Sequence, residues 1–267
     1  MLTFRELASG LRKLEVDPSK PVIIHASLSS FGEIRGGVDT LLGAILANFS
    51  SIMIPTFTYK TMLTPEAGPD DNGITYGTAY TQNRMAEFFT PNLSCDRSMG
   101  ILAEKIRTHP KAVRSSHPIL SFTGINLEKT ITSQSVEEPF TPIQSLYEQE
   151  GTVLLLGVDH TVNTSIHTAE SKAGRKTFTR WALTSTAIIE CVKFPGCSDG
   201  FNKAHELLEE ITQTIQIGNA KVSGLPINTM VNKLVNHIVH HPLALLCDRE
   251  ECPRCDAVRT TTSSQCD

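Results

Sequence analysis

Residues 20–55 read "KPVIIHASLSSFGEIRGGVDTLLGAILANFSSIMIP", and this stretch decides the fold. "KPVIIH" is a continuous apolar run closing at His25, the pattern of a strand covered on both faces. In "GGVDTLLGAILANF" the residues Val38, Leu41, Leu42, Ile45, Leu46 and Phe49 recur at spacings of three and four, which predicts a helix facing a core. "SIMIP" then supplies a second strand. A strand, a polar glycine-containing loop, a helix and another strand make a right-handed crossover with parallel strands, and ligands of such units gather beyond the carboxyl ends of the strands. The loops after His25 and Pro55 are therefore candidate binding segments.

Outward from this unit, Thr3 and Glu6 form a capping box ahead of Leu7, Leu11 and Leu14, which predicts a short opening helix. Residues 56–97 are polar and irregular around "PEAGPDDNG", a length that inside a compact domain signals function or disorder. "SMGILAEKIRTH" restores a helix with Ser98 as its cap, and "TVLLLGV" is a strand. "STAIIECVKF" and "QTIQIGNAKV" suggest antiparallel strands, and Ile227, Val231, Leu234, Val235 and Ile238 mark a final amphipathic helix. With no internal repeat or linker, the expectation is a single α/β domain, residues 1–258, with a central mixed sheet flanked by helices. A polar C-terminal tail over 259–267, within "VRTTTSSQCD", is expected to fray.

At 267 residues the chain can bury a core without disulfides or metal. Its 24 lysines and arginines against 28 acidic residues, a formal charge of −4, give no basis for gripping a nucleic-acid backbone; a polycationic small molecule is the better match. The opening "MLTFRELASGLRKLEV" carries charges where a secretion signal needs an apolar run, and no apolar run approaches the roughly 20 residues that span a bilayer. A soluble cytoplasmic protein with no membrane partner is expected. Seven scattered cysteines, an odd number, fit a reducing compartment. In "CDREECPRC", Cys247, Cys252 and Cys255 could hold a structural zinc if Cys266, His240 or His241 joined them. Unligated thiols are the alternative, and no metal is assigned.

Immediately after "TVLLLGVDH" comes "NTSIHTAE", residues 163–170. Asn163 or Thr164 can cap a helix here, which puts His167 and Glu170 three residues apart on one face of its first turns. Such a pair on a helix is commonly just solvated, but this helix follows a central strand and so starts at the ligand crevice. An imidazole titrates near neutrality, so His167 can take a proton from an amine or water, with Glu170 raising its basicity or holding a cation. Metal binding is the lesser reading: His160 is near, but there is no His-Glu-x-x-His element. "HASLSSFGEIRGG", residues 25–37, matches neither the dinucleotide nor the P-loop glycine pattern, and Ser27 and Ser29 sit in no nucleophile elbow. "RSSHP", residues 114–118, reads as a proline-bounded turn with Arg114 as a possible phosphate partner. His25 reads equally as a structural histidine with one nitrogen on backbone.

Taken together and in order, "HASLSSFGEIRGG", "MIPTFTY", "RSSHPILSF", "VLLLGVDHTVNTSIHTAE" and "GCSDGFNK" resemble the aminoglycoside 3-N-acetyltransferase family, the antibiotic N-acetyltransferases that use acetyl-CoA. The likeness covers residues 1 to about 245. It implies an α/β fold of antibiotic N-acetyltransferase type, not the GNAT fold, and acetyl transfer from acetyl-CoA to an amine of an aminoglycoside or related compound. By the same likeness, Ser27, Leu28, Ser29, Ser30, Phe31 and Gly32, with Gly36 and Gly37, touch the cofactor. So do Thr56, Phe57 and Thr58, and Arg114, Ser115, Ser116 and His117. His167 is the implied catalytic base and Glu170 its partner, with attack direct and the oxyanion held by helix-end amides or loop hydroxyls. Asp70, Asp71, Asp159 and Glu170, with Glu66, are candidates to attract a polycationic amine. The competing readings are an ester or thioester hydrolase using the same histidine, and a non-catalytic protein that binds CoA or an amino sugar. The residues leave the oligomeric state open.

Overall fold

The structure, a computed structural model, describes residues 1–263. The chain opens with α1 (Phe4–Arg12), whose capping box forms as expected, Glu6 accepting from the Thr3 backbone N–H at 2.8 Å. β1 (Val22–Ala26), α2 (Gly37–Leu46) and β2 (Ile52–Pro55) follow, and β1 and β2 pair in parallel. The segment from 56 to 97 is less irregular than its sequence suggests, because it holds a 3-10 turn at Tyr59–Thr61, the two-residue β3 (Met62–Leu63) and α3 (Tyr80–Asn83).

Next come α4 (Gly100–Arg107), β4 (Ala112–Arg114), β5 (Phe122–Ile125), α5 (Glu128–Thr132) and α6 (Thr141–Glu148). β6 (Thr152–Leu156) is buried at every position and leads into α7 (Ile166–Lys172). β7 (Phe178–Leu183), β8 (Ile188–Phe194), α8 (His205–Leu208), β9 (Gln213–Ile217), β10 (Ala220–Pro226), α9 (Ile227–His240) and α10 (Pro253–Ser263) complete the fold.

The main sheet has seven strands in the order β4-β5-β2-β1-β6-β10-β9. Its centre, β2-β1-β6, is parallel, and every outer pairing is antiparallel, so the sheet is mixed as expected. The period-two alternation of strands sends neighbouring side chains to opposite faces. Val22, Ile24, Leu154 and Leu156 pack with α1, α2 and α4, while Ile23, Val153 and Leu155 pack with α6, α7 and α9. The result is a layer of helices on each face. β3, β7 and β8 form a second, antiparallel sheet, of which the sequence reading had found only β8.

Three boundaries differ from expectation. Ser98 does not cap α4: it lies inside a 3-10 turn at Arg97–Met99, Met99 stands at the cap without a side-chain bond, and Gly100 opens the helix at φ 81°. α9 is not the last helix. The tail expected from residue 259 is instead, through Ser263, the end of α10, because Ala257 and Val258 are buried and anchor that helix. Cys266 lies outside the described residues.

The chain between α9 and α10 lies directly on Gly200, where an added Cβ would come within 2.3 Å of the Leu245 carbonyl oxygen and 2.5 Å of the Leu246 carbonyl carbon. Gly200→Ala is therefore expected to cost about 1–3 kcal/mol through overpacking. Thermal unfolding checks this, at roughly 2–4 °C per kcal/mol for a chain of this size; an unchanged midpoint would show that the contact yields freely.

Candidate active site

A cavity of about 660 Å³ opens beyond the carboxyl ends of β1, β2 and β6, the place the crossover topology assigns to a ligand. One side is the loop after β1, with His25, Ser27, Leu28, Ser29 and Gly32. Another is Phe57 and Tyr59 after β2. Val158, Thr161, Val162 and Thr164, after β6, form the third, and His167 closes it. Pro195 and Ser198 come from the turn after β8, and residues 98–101 from the start of α4.

His167 is held on several sides. Its Nδ1 lies 2.7 Å from Glu170 Oε2, Phe140 stacks on the ring at 5.9 Å, and Phe201 meets it edge-on at 4.8 Å. Nε2 has no partner among the described residues and is not sealed from solvent, while the ring lines the cavity. The other Glu170 oxygen accepts from Arg175 Nη1 at 2.7 Å. Arg175 in turn donates through Nη2 to the carbonyls of Pro242 and Ala244, at 2.8 and 2.7 Å. Burial opposes the charge on Glu170, yet the hydrogen bond from His167 and the charges of His167 and Arg175 hold its carboxyl below the usual range. A carboxylate fixed on Nδ1 keeps the proton there and presents Nε2 as an acceptor.

The helix start differs in detail from the expected cap. Ser165 precedes α7 without a side-chain bond to it, and Asn163 Oδ1 accepts from Ser165 N. The amides of Ile166, His167 and Thr168 already donate to carbonyls three residues back, so the helix-end amides expected to meet an oxyanion are taken. His160, the conceivable metal ligand, turns to Asn163 at 3.3 Å and does not line the cavity.

Of the expected cofactor residues, Ser27, Leu28, Ser29, Gly32 and Phe57 line the cavity. The others do not. Ser30 Oγ donates to the Gly157 carbonyl, and Phe31 is core. Gly36 and Gly37, at φ 83° and 58°, begin α2 outside the lining. Thr56 and Thr58 are fully buried, bonded to Ser121 and to the Pro118 carbonyl. Arg114 is consumed by Ser121 Oγ and by the carbonyls of Thr56, Pro91 and Leu93, and Ser115 caps Phe122 N at 2.8 Å. His117 Nδ1 accepts from Ile119 N and Leu120 N, and Ser116, beside it, is absent from the cavity wall. These hydroxyls and cations satisfy backbone between β2 and β5, a structural task with the same composition as a ligand loop.

None of the acidic candidates faces the cavity. Asp70 and Asp71 are exposed outside the lining. Asp159 accepts from Thr161 and Asn202, and Glu170 is committed to His167 and Arg175. Sequence reasoning missed Arg175, for which the only signal was an arginine just past the helix-ending Gly174, and Tyr59, Ser98 and Ser198 in the cavity wall. His25 is also in the wall, but its Nε2 is buried without the backbone partner expected of it, and burial, helped by the charge of His160, pushes its pKa down to about 3.

The cysteines converge differently from expectation. Cys247, Cys252 and Cys255 meet Cys197, not His240 or His241, and the four sulfurs lie within 4.8 Å of one another.

The profile of the family described as aminoglycoside 3-N-acetyltransferase matches residues 23–238. The chain is 28% identical over 178 residues to the SPbeta prophage-derived aminoglycoside N(3')-acetyltransferase-like protein YokD of Bacillus subtilis, covering 63% of this chain and 64% of that one. It is 30% identical over 183 residues to aminoglycoside N(3)-acetyltransferase VII of Streptomyces paromomycinus, covering 64% and 61%. The alignments thus span less than two thirds of those relatives' lengths. The fold matches the crystal structure of aminoglycoside acetyltransferase AAC(3)-IVa with a TM-score of 0.79, at 24% identity over 97% of both chains. A structure of the same fold, AAC-IIIb, is a binary complex with CoASH, at TM-score 0.72 and 21% identity over 90% of this chain and 97% of that one.

The depressed pKa of His25 fixes a pH dependence. The unfolded chain binds a proton near the ordinary histidine value and the folded chain does not until about 3, so stability falls as pH drops between those limits. Between pH 7 and pH 5 this histidine is expected to cost about 2 kcal/mol. Urea unfolding of the wild type and His25→Asn at the two pH values measures it; equal pH slopes would show the ring protonates in place.

Proposed function

Because the chain belongs to the aminoglycoside 3-N-acetyltransferase family, we propose that it transfers the acetyl group of acetyl-CoA to an amine of an aminoglycoside, with His167 as the general base. The observation that carries the base assignment is the Glu170–His167 pair at the cavity wall, its Nε2 unpartnered and its Nδ1 occupied. His25, the other imidazole in the wall, is a poor base because burial keeps it neutral down to about pH 3. It is suited to hydrogen bonding instead.

The proposed step is direct. The amine nitrogen attacks the thioester carbonyl carbon, its proton passes to His167 Nε2, the C–S bond breaks, and the CoA sulfur leaves as thiolate and then takes a proton. Glu170 balances the imidazolium, and Arg175 keeps that carboxylate ionised and in place. Binding both substrates in one cleft supplies the proximity term. With the first amides of α7 already bonded, the hydroxyls of Ser27 and Ser29, 3.1 Å apart in the wall, are among the groups available to the developing oxyanion. In this proposal CoA lies along Ser27, Leu28, Ser29, Gly32 and Phe57, which line the cavity; the CoASH bound by AAC-IIIb supports the co-substrate class. No carboxylate lines the cavity among the described residues, so the acceptor class rests on family membership.

Thiol release from acetyl-CoA tests the reading. Release is expected to require an aminoglycoside, and His167→Ala is expected to lower kcat/KM by about 10²–10⁴ while CoA still binds. Glu170→Gln should give a smaller loss with CoA binding kept. Equal release without an amine would favour a hydrolase, CoA binding without turnover a non-catalytic protein, and full activity in His167→Ala would remove the base.

A further inference from the structure

We propose that Cys197, Cys247, Cys252 and Cys255 bind one structural zinc ion that fastens the C-terminal arm of the chain behind the active-site wall. Zinc takes thiolate ligands at about 2.3 Å in a tetrahedron, whose edges are then about 3.8 Å. The four sulfurs lie within 4.8 Å of one another and all four residues are buried, so a contraction of about 1 Å or less closes the site. Four protein ligands leave no open position, which marks the site as structural and not catalytic.

Core packing of ordinary thiols is the plain alternative, and the loop that carries them argues against it. Between Cys247 and Cys252 stand Asp248, Arg249, Glu250 and Glu251, all exposed, with Glu251 at φ 60°. Leu245 and Leu246 are buried just before it and Lys203 pairs with Asp248, but no residue between the two cysteines is apolar. Its buried side chains are the cysteines themselves, and thiol packing is a weak anchor for four charged neighbours. The second ligand strand is the Pro195–Gly196–Cys197 turn after β8, about 50 residues earlier in the chain.

The surroundings are those a thiolate cluster requires. Cys247 N donates to Cys255 Sγ at 3.4 Å, and Arg249 Nη2 approaches Cys197 Sγ and Cys252 Sγ at 3.6 and 3.7 Å while pairing with Asp199 at 2.8 Å. Donors to sulfur disperse the negative charge that four thiolates bring to one dication. Arg254, inside the C-x2-C element, donates through Nη1 to the carbonyls of Pro195 and Gly196, at 3.3 and 2.8 Å, so a side chain of one ligand segment already holds the backbone of the other. Pro195 and Ser198 face the cavity on the other side of that turn. The knot therefore backs the part of the wall beside the Glu170–His167 pair, where a Cβ on Gly196 would lie 3.9 Å from Glu170 Oε2, and it does so whatever the acceptor.

The test reads metal, not activity. Protein without a histidine tag, purified from zinc-supplemented cells and dialysed against metal-free buffer, is analysed by plasma mass spectrometry and titrated with an organomercurial beside a zinc indicator. One zinc per chain, released as four thiols are taken up, is the expected result. Cobalt(II) exchanged into the wild type should show the intense visible bands and sulfur charge transfer of a tetrahedral thiolate site, which needs no variant to fold. Cys197→Ser should lose the zinc, and the double change His240→Ala, His241→Ala should keep it. Background zinc in the wild type, iron in its place, a cobalt spectrum of oxygen and nitrogen ligands, or zinc lost with the two histidines would each overturn the proposal.

Discussion

The bond on which the site depends is the one between Glu170 and Arg175. A carboxylate buried to this degree is costly unless paired and hydrogen-bonded, and Glu170 is both. Arg175 occupies one oxygen, leaving the other for His167, and the imidazole is thereby fixed in one tautomer. Two aromatic rings complete the hold on its orientation. Arg175 is placed by main-chain carbonyls at Pro242 and Ala244, which belong to the segment after α9. The orientation of the His167 ring beyond β6 thus depends on residues that sit neither in the cavity nor in the first turns of α7.

The same segment packs against Gly200 and ends in the cysteine cluster, so three of the contacts that tie the C-terminal arm to the body of the protein lie along it. Each uses different physics: close van der Waals contact, a charged hydrogen bond to carbonyls, and convergence of thiols. The first and the third bear on the turn between β8 and α8, which supplies Pro195 and Ser198 to the cavity, and the second bears on the end of α7. The parallel centre of the sheet sets where the cavity lies; the arm sets the state of its walls.

Much of this was legible in the residues. The unbroken apolar runs of β1, β2 and β6 and the three-and-four spacing in α2 and α9 report burial directly, and "NTSIHTAE" after β6 pointed to the pair at 2.7 Å. The expected cofactor residues that lie outside the cavity lining share one feature. Thr56, Thr58, Arg114, Ser115 and His117 have the composition of a ligand loop, but hydroxyls and guanidinium groups serve stranded carbonyls equally well, and a single sequence does not distinguish the two uses. Contacts between distant segments were invisible for another reason. Nothing local in "GCSDG" announces that Cys197 will meet Cys255, and nothing in "AGRK" announces the carbonyls awaiting Arg175. β7 was missed because Arg180 and Trp181 break the apolar look of a strand whose alternate residues are nonetheless buried.

The carbonyl partners of Arg175 lie 67 and 69 residues downstream of it. During translation the whole sheet, the cavity and the histidine can emerge from the ribosome while those carbonyls are still inside the exit tunnel. A nascent chain at that stage holds an unbraced carboxylate, so Glu170 is secured only after α9 and the segment behind it have emerged.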